Sequence, residues 1–198
     1  MENYYRKKLL NAILYFAKNV RHANETKILK LLNFFDFEHF RQTGYPAIGL
    51  EYYTFDWGPV PKEFWKEIKE GNVPDDFKKD LAIIKNQFDE TYPEKLEFLF
   101  KAKSNPDLSV FSAREIDILK GLSDMYKFCT AFEMSQISHE KEKPWAITMN
   151  QKGEGKKIDY ILSITDDSPI SKDIAEENLK EYFEMINNFH ISPVKNDA

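Results

Sequence analysis

The chain has 198 residues, enough for one domain with a full core and too few for two comfortable ones. At 42% apolar and 31% charged residues it is globular rather than disordered, and 33 acidic against 28 basic residues give a net charge of −5, which excludes a whole-domain basic footprint for nucleic acid. The single cysteine, Cys129, excludes a disulfide framework or a paired-cysteine zinc site within one chain.

Met1 to Lys8 has no long apolar stretch behind its charges, and Leu9 to Val20 is broken by Asn11, Lys18 and Asn19. Neither a signal peptide nor a membrane span is predicted, and the chain reads as cytoplasmic. Leu9, Leu10, Ile13, Phe16, Ala17 and Val20 recur at helical spacing and predict a first helix over Tyr4 to Val20. A second helix, Glu25 to Gln42, is framed by Asn24 as N-cap and Gly44 just past its end. It is apolar nearly all the way round, which marks a central helix. Tyr53, Phe55 and Trp57 then alternate with Tyr52, Thr54 and Asp56, at strand period. Gly58-Pro59-Val60-Pro61 is expected to turn the chain, since proline cannot donate to a ladder.

A short helix should follow to Glu70, ended by Gly71. A second strand is expected over Lys95 to Lys101, with Leu96, Phe98 and Phe100 on one face and Leu81 to Lys85 beside it. Ser112-Ala113-Arg114-Glu115 is a capping box opening a helix with Ile116, Leu119, Leu122, Tyr126 and Cys129 on one stripe. Thr130-Ala131-Phe132-Glu133 is a second box directly behind, so a sharp corner is predicted. Met149 to Asp167 stays open, with Ile158 to Ile164 fitting a short strand or a helical turn. The last helix, about 171–189, puts Leu179, Tyr182, Phe183 and Ile186 on one face, and the tail 190–198 is expected to fray. The fold class is mainly α with a small antiparallel β-sheet (α+β). One compact helical domain is expected over 1–198, with its motif-bearing core at about 24–145.

The search for chemistry returns little. There is no glycine-rich phosphate loop and no His-Glu-x-x-His. Asp36 and His39 are helix neighbours, but two ligands fall short of the usual three or four, and nothing places His22 or His139 nearby. His39 lies on an apolar face and reads as a core residue. Ser135 and His139 sit four apart, without an orienting acid or oxyanion device. His139 is expected to bond a backbone carbonyl and fix the Pro144-Trp145 turn. Cys129 ends an apolar stripe and reads as a buried, inert thiol. No catalytic residue, metal or cofactor is assigned, and the chain is not expected to be an enzyme.

Several segments together resemble one family. Lys30-Leu31-Leu32-Asn33-Phe34-Phe35-Asp36-Phe37-Glu38-His39 is similar to its K-L-L-Y-x-A-D-x-x-H helix. Gly44-Tyr45-Pro46 follows, then Thr54-Phe55-Asp56-Trp57-Gly58-Pro59-Val60-Pro61, similar to its W-K-Y-G-P-V-P turn. Asp107 to Ser112 precedes a helix, and Met134-Ser135-Gln136-Ile137-Ser138-His139 with Pro144-Trp145 resembles L-S-x-x-T-H…P-W. The family is Panacea, also called SocA-like. Asp56-Trp57 departs from it, standing where an aromatic or basic residue followed by Tyr is expected.

The resemblance implies an antitoxin that neutralises a cognate toxin by direct protein–protein contact, the toxin being encoded by the adjacent gene. No membrane and no nucleic-acid partner is expected. At least one member instead delivers its toxin to a protease, and that adaptor role is the alternative. A plain structural subunit and a metal enzyme built on Asp36, His39 and His139 are weaker rivals. The candidate toxin-binding residues are Asp56, Trp57, Pro59, Val60, Ser135, His139 and Trp145. A purely structural role competes for this segment, with Trp57, Gly58, Pro59, Pro144 and Trp145 fixing a strand–helix junction and a helix start.

Overall fold

The structure is a computed structural model and describes residues 3–87, 96–189, 193 and 194. Helix α1 (Tyr4–Asn19) begins where the Asn3 side chain accepts the Arg6 amide. It buries Leu9, Ala12, Ile13 and Phe16 as one stripe. Helix α2 (Glu25–Thr43) has the predicted caps: Asn24 accepts the Lys27 amide, and Gly44 turns left-handed at φ +77°. It is the hub, packing against α1 and most later elements. Even its lysines are buried. The Lys27 ammonium donates to the carbonyls of Arg21 (2.9 Å), Lys127 (3.2 Å) and Cys129 (2.6 Å). A buried ammonium is tolerable when its donors are satisfied in this way.

Asp36, fully buried, organises the chain after α2. Its oxygens accept the amides of Ile48 (2.6 Å), Gly49 (3.0 Å) and Leu50 (3.2 Å) and the Tyr52 hydroxyl (2.9 Å). Burial raises its pKa, and these donors oppose the shift. Strand β1 (Tyr52–Phe55) then pairs antiparallel with β2 (Gly58–Pro61), Tyr52 opposite Pro61 and Phe55 opposite Gly58. The Gly-Pro-Val-Pro segment is therefore a strand, and the turn is Asp56–Trp57. Two observations explain how prolines fit there. The pair is only two strands wide, so β2 is an edge. Opposite Pro59, Thr54 turns its amide and carbonyl away, to Lys156 and Gly155. Pro59 thus occupies a position where the ladder needs no donor.

Helix α3 (Lys62–Ile68) and a 3-10 turn (Lys69–Gly71) follow. Strand β3 (Leu81–Gln87) pairs antiparallel with β4 (Leu96–Ala102), in a second two-stranded sheet separate from the first. Lys95, expected to start this strand, lies outside the described residues. Both predicted capping boxes form, at Ser112/Glu115 opening α4 (Ala113–Met125) and at Thr130/Glu133 opening α5 (Ala131–Ser138). Between them α4 ends at Met125, short of the expected Cys129, which is half-buried rather than buried. Helix α6 (Pro144–Lys152) starts on proline, whose missing amide is no loss at a first helical position. The open segment resolves both ways: Lys157 bridges to Tyr53 on the far edge of β1, and Tyr160–Ser163 forms a 3-10 turn.

Helix α7 (Lys172–Phe189) buries Ala175 and Tyr182, while Phe183, expected on the same face, is 37% exposed. It closes on α2 and the turn after it through two glycines. A Cβ on Gly44 would lie 2.8 Å from that of Asn178, and one on Gly49 would lie 1.8 Å from the Tyr182 hydroxyl. Within the tail expected to fray, Pro193 is buried, and its carbonyl accepts Arg6 at 3.2 Å. The buried hydrophobic residues of α1, α2, the β2–α3 region, α4 and α7 form one continuous core.

Candidate functional site

The β1–β2 hairpin is braced by three side chains. The Trp145 indole donates to the Phe55 carbonyl (3.0 Å), the Ser135 hydroxyl to that of Trp57 (3.2 Å), and the Lys30 ammonium to that of Pro59 (3.0 Å). One donor comes from α6, one from α5 and one from α2. At the centre sits Gly58, at φ +103°. A Cβ there would fall 2.5 Å from the Ser138 hydroxyl and 2.8 Å from the Lys30 ammonium, so only glycine lets the hairpin close on α2 and α5. Burial lowers the Lys30 pKa to about 7.

The other candidate residues divide by where their side chains go. His139 stacks on Trp145, ring centroids 3.8 Å apart and planes 13° apart. It fixes the Pro144-Trp145 turn by this stacking and not, as expected, by bonding a carbonyl. Its Nε2 is buried without a hydrogen-bond partner among the described residues, and burial lowers its pKa. Ser135 uses its hydroxyl on Trp57, which leaves it unavailable to His139 as a nucleophile. Pro59 is buried and Val60 half-buried. Asp56 and Trp57 occupy the tip, exposed, with Trp57 at 70%. All seven thus gather at or beside the hairpin; Ser135 and Trp145 brace it, His139 backs Trp145, and Asp56 and Trp57 are what it presents.

The metal-like pair is drawn into the fold instead. Asp36 has its oxygens occupied as above, and His39 Nδ1 donates to the Tyr45 carbonyl at 2.7 Å. His22 bonds Glu97 at 2.7 Å. Among the described residues no group of three or more His, Cys, Asp or Glu is placed to hold a metal ion.

Two features escaped the sequence reading. One is the set of exposed apolar side chains around the α4–α5 corner, Met125 (68%), Phe128 (69%) and Phe132 (64%). Phe132 carried a signal, since it stands inside a capping box, where the first turn faces water. The other is an open groove of about 1110 Å³ between α2, α4, the α5–α6 connection and the 160–163 turn. Pro59, Ser138 and Trp145 line it, so the braced hairpin forms part of its wall. Its lining comes from segments far apart in sequence, and no local pattern announces it.

The family model described as antitoxin SocA-like, Panacea domain, matches residues 28–146, more than half of the chain. The matched span runs from the start of α2 to Trp145 and Ala146 at the start of α6, and so contains every donor that braces the hairpin. No curated protein and no solved structure matches the chain. Among the described residues no helix is long and apolar enough to cross a membrane.

Proposed function

Because the chain belongs to the antitoxin SocA-like, Panacea domain family, we propose that it neutralises a cognate toxin by binding it directly, through the surface built on the β1–β2 hairpin. The observation that carries this reading is Trp57, 70% exposed on a tip whose backbone is held from three helices. Exposing a tryptophan to water is unfavourable unless a partner covers it, and a pre-braced anchor has little freedom left to lose on docking. Asp56 beside it, in a chain of net charge −5, suits a basic partner, since opposite potentials speed encounter. The toxin is encoded beside this chain and met in the cytoplasm, with no nucleic acid, cofactor or catalysis required. Residues 1–198 act as one domain, the segment after the family match being docked on α2 through α7.

Co-expression with the product of the adjacent reading frame tests this, scoring growth and co-purification together. The neighbour alone should stop growth, and the pair should restore it and elute as a complex. Trp57→Ala should then weaken the complex by about 2 kcal/mol or more, roughly 30-fold. It should move the Tm little, because an exposed side chain carries little folding energy. Growth restored without a complex would favour the protease-delivery adaptor. A harmless neighbour would remove the antitoxin reading.

A further inference from the structure

Gly121 stands inside α4, exposed, and a Cβ built on it meets nothing within 4 Å. A mid-helix glycine is less stable than alanine because it has more backbone freedom to lose. Gly44, Gly49 and Gly58 are explained by positive φ and by side chains pressed against them. Gly121 has neither reason, and it lines the groove between α2 and α4.

We propose that this groove receives an amphipathic α-helix of the partner protein, which crosses α4 at Gly121. The inference rests on the reading of the chain as an antitoxin that works by direct contact. The groove is open and large, at about 1110 Å³. Half-buried Phe34 of α2, Leu122 of α4, Ile137 and Leu162 line it, with the buried Phe37 and Ile118 beneath, an apolar bed that a helix with anchors at positions i, i+3, i+4 and i+7 fills. The distance between crossing helices is set by the side chains at the contact, so glycine permits the closest approach.

The charge pattern selects the occupant. Arg41, Arg114, Lys141 and Lys143 stand on the rim, and five carboxylates stand among them, Glu140 and Glu142 interleaved with the two lysines. Arg41 is already held by Glu38 at 3.1 Å. A polyanion would meet the carboxylates, and a small apolar ligand would leave both signs unmatched. An apolar stripe flanked by charges of both signs is the complement. Met125, 68% exposed on the lining, adds a side chain that adapts to its contact.

The test uses the full chain and the product of the adjacent reading frame. Gly121→Trp fills the groove, Gly121→Ala adds one methyl group at the crossing point, and Lys120→Trp adds the same bulk at an exposed neighbour outside the lining. Gly121→Trp should weaken binding at least about 30-fold. Lys120→Trp should bind as wild type, and Gly121→Ala should bind more weakly than wild type but more tightly than Gly121→Trp, with a Tm raised by about 2–4 °C. The partner segment protected in hydrogen exchange, made as a peptide, should gain helical circular dichroism with the wild-type chain and not with Gly121→Trp. Should Gly121→Trp fail to fold, Gly121→Gln, a good helix former, replaces it.

Wild-type affinity in the filled variant overturns the proposal, as does an equal loss in Lys120→Trp or a segment that binds without becoming helical. A dimer of the chain alone that Gly121→Trp dissolves would give the groove to a second copy and overturn it likewise. If the filled variant still binds and restores growth while Trp57→Ala does not, the groove assignment falls and the antitoxin reading stands. A wild-type chain that neither binds the neighbour nor restores growth removes both.

Discussion

Lys30 shows how one residue serves both the fold and the site. Its ammonium, 1% exposed, donates to Pro59 and anchors the hairpin. Burial lowers its pKa from 10.5 to about 7. The sign of the resulting pH dependence follows. Below pH 7 the lysine is protonated in both states; between about 7 and 10.5 the unfolded chain holds a proton that the folded chain has released, so stability rises with pH across that window. Measured against Lys30→Met by chemical denaturation from pH 6.5 to 9, the wild type should gain stability above pH 7, by at most about 1.4 kcal/mol per pH unit. Parallel profiles would show that the ammonium is not buried. The sequence marks Lys30 only as part of a motif, because the carbonyl it meets lies on β2, a segment whose prolines predict a turn.

At the scale of elements, the hairpin is weak alone: two strands of four residues, with prolines in one, have little intrinsic stability. Its bracing donors supply what the ladder lacks. Trp145→Phe keeps a smaller aromatic ring for His139 to stack on and removes the donor to Phe55. It should lower stability by about 1–3 kcal/mol, the range for a buried acceptor left unpaired, read as a fall in Tm. On the proposed function it should also weaken toxin binding, because the tip that carries Trp57 loses a brace. A destabilised variant with unchanged affinity would show that the tip holds its shape without Trp145. Element types were mostly legible in the sequence. The caps of α2 and the boxes at Ser112 and Thr130 are local, each made within one helical turn, and all form as read. Gly-Pro-Val-Pro was misread because proline's local effect is to break a ladder, whereas an edge position with a partner pointing away tolerates it.

At the scale of the whole molecule, α7 joins the segment beyond the family match to the hub helix by close contacts at Gly44 and Gly49. Gly49→Ala would combine a strained backbone at φ +86° with a Cβ 1.8 Å from the Tyr182 hydroxyl oxygen. It should lower the stability of the entire chain by about 3 kcal/mol or more while keeping one cooperative transition. Two separate transitions would show that α7 belongs to a different folding unit. Hydrophobic period and caps determined from the sequence alone that this chain is helix-rich and where its helices begin, and short motifs such as Gly58-Pro59-Val60-Pro61 which family it resembles, because those signals act over a few residues. Which side chains brace and which present was decided only in three dimensions. Trp57 and Trp145 are the same residue type in neighbouring motifs, yet one is 70% exposed while the other donates to Phe55. That difference depends on which carbonyl, ring or open groove a distant segment brings to each.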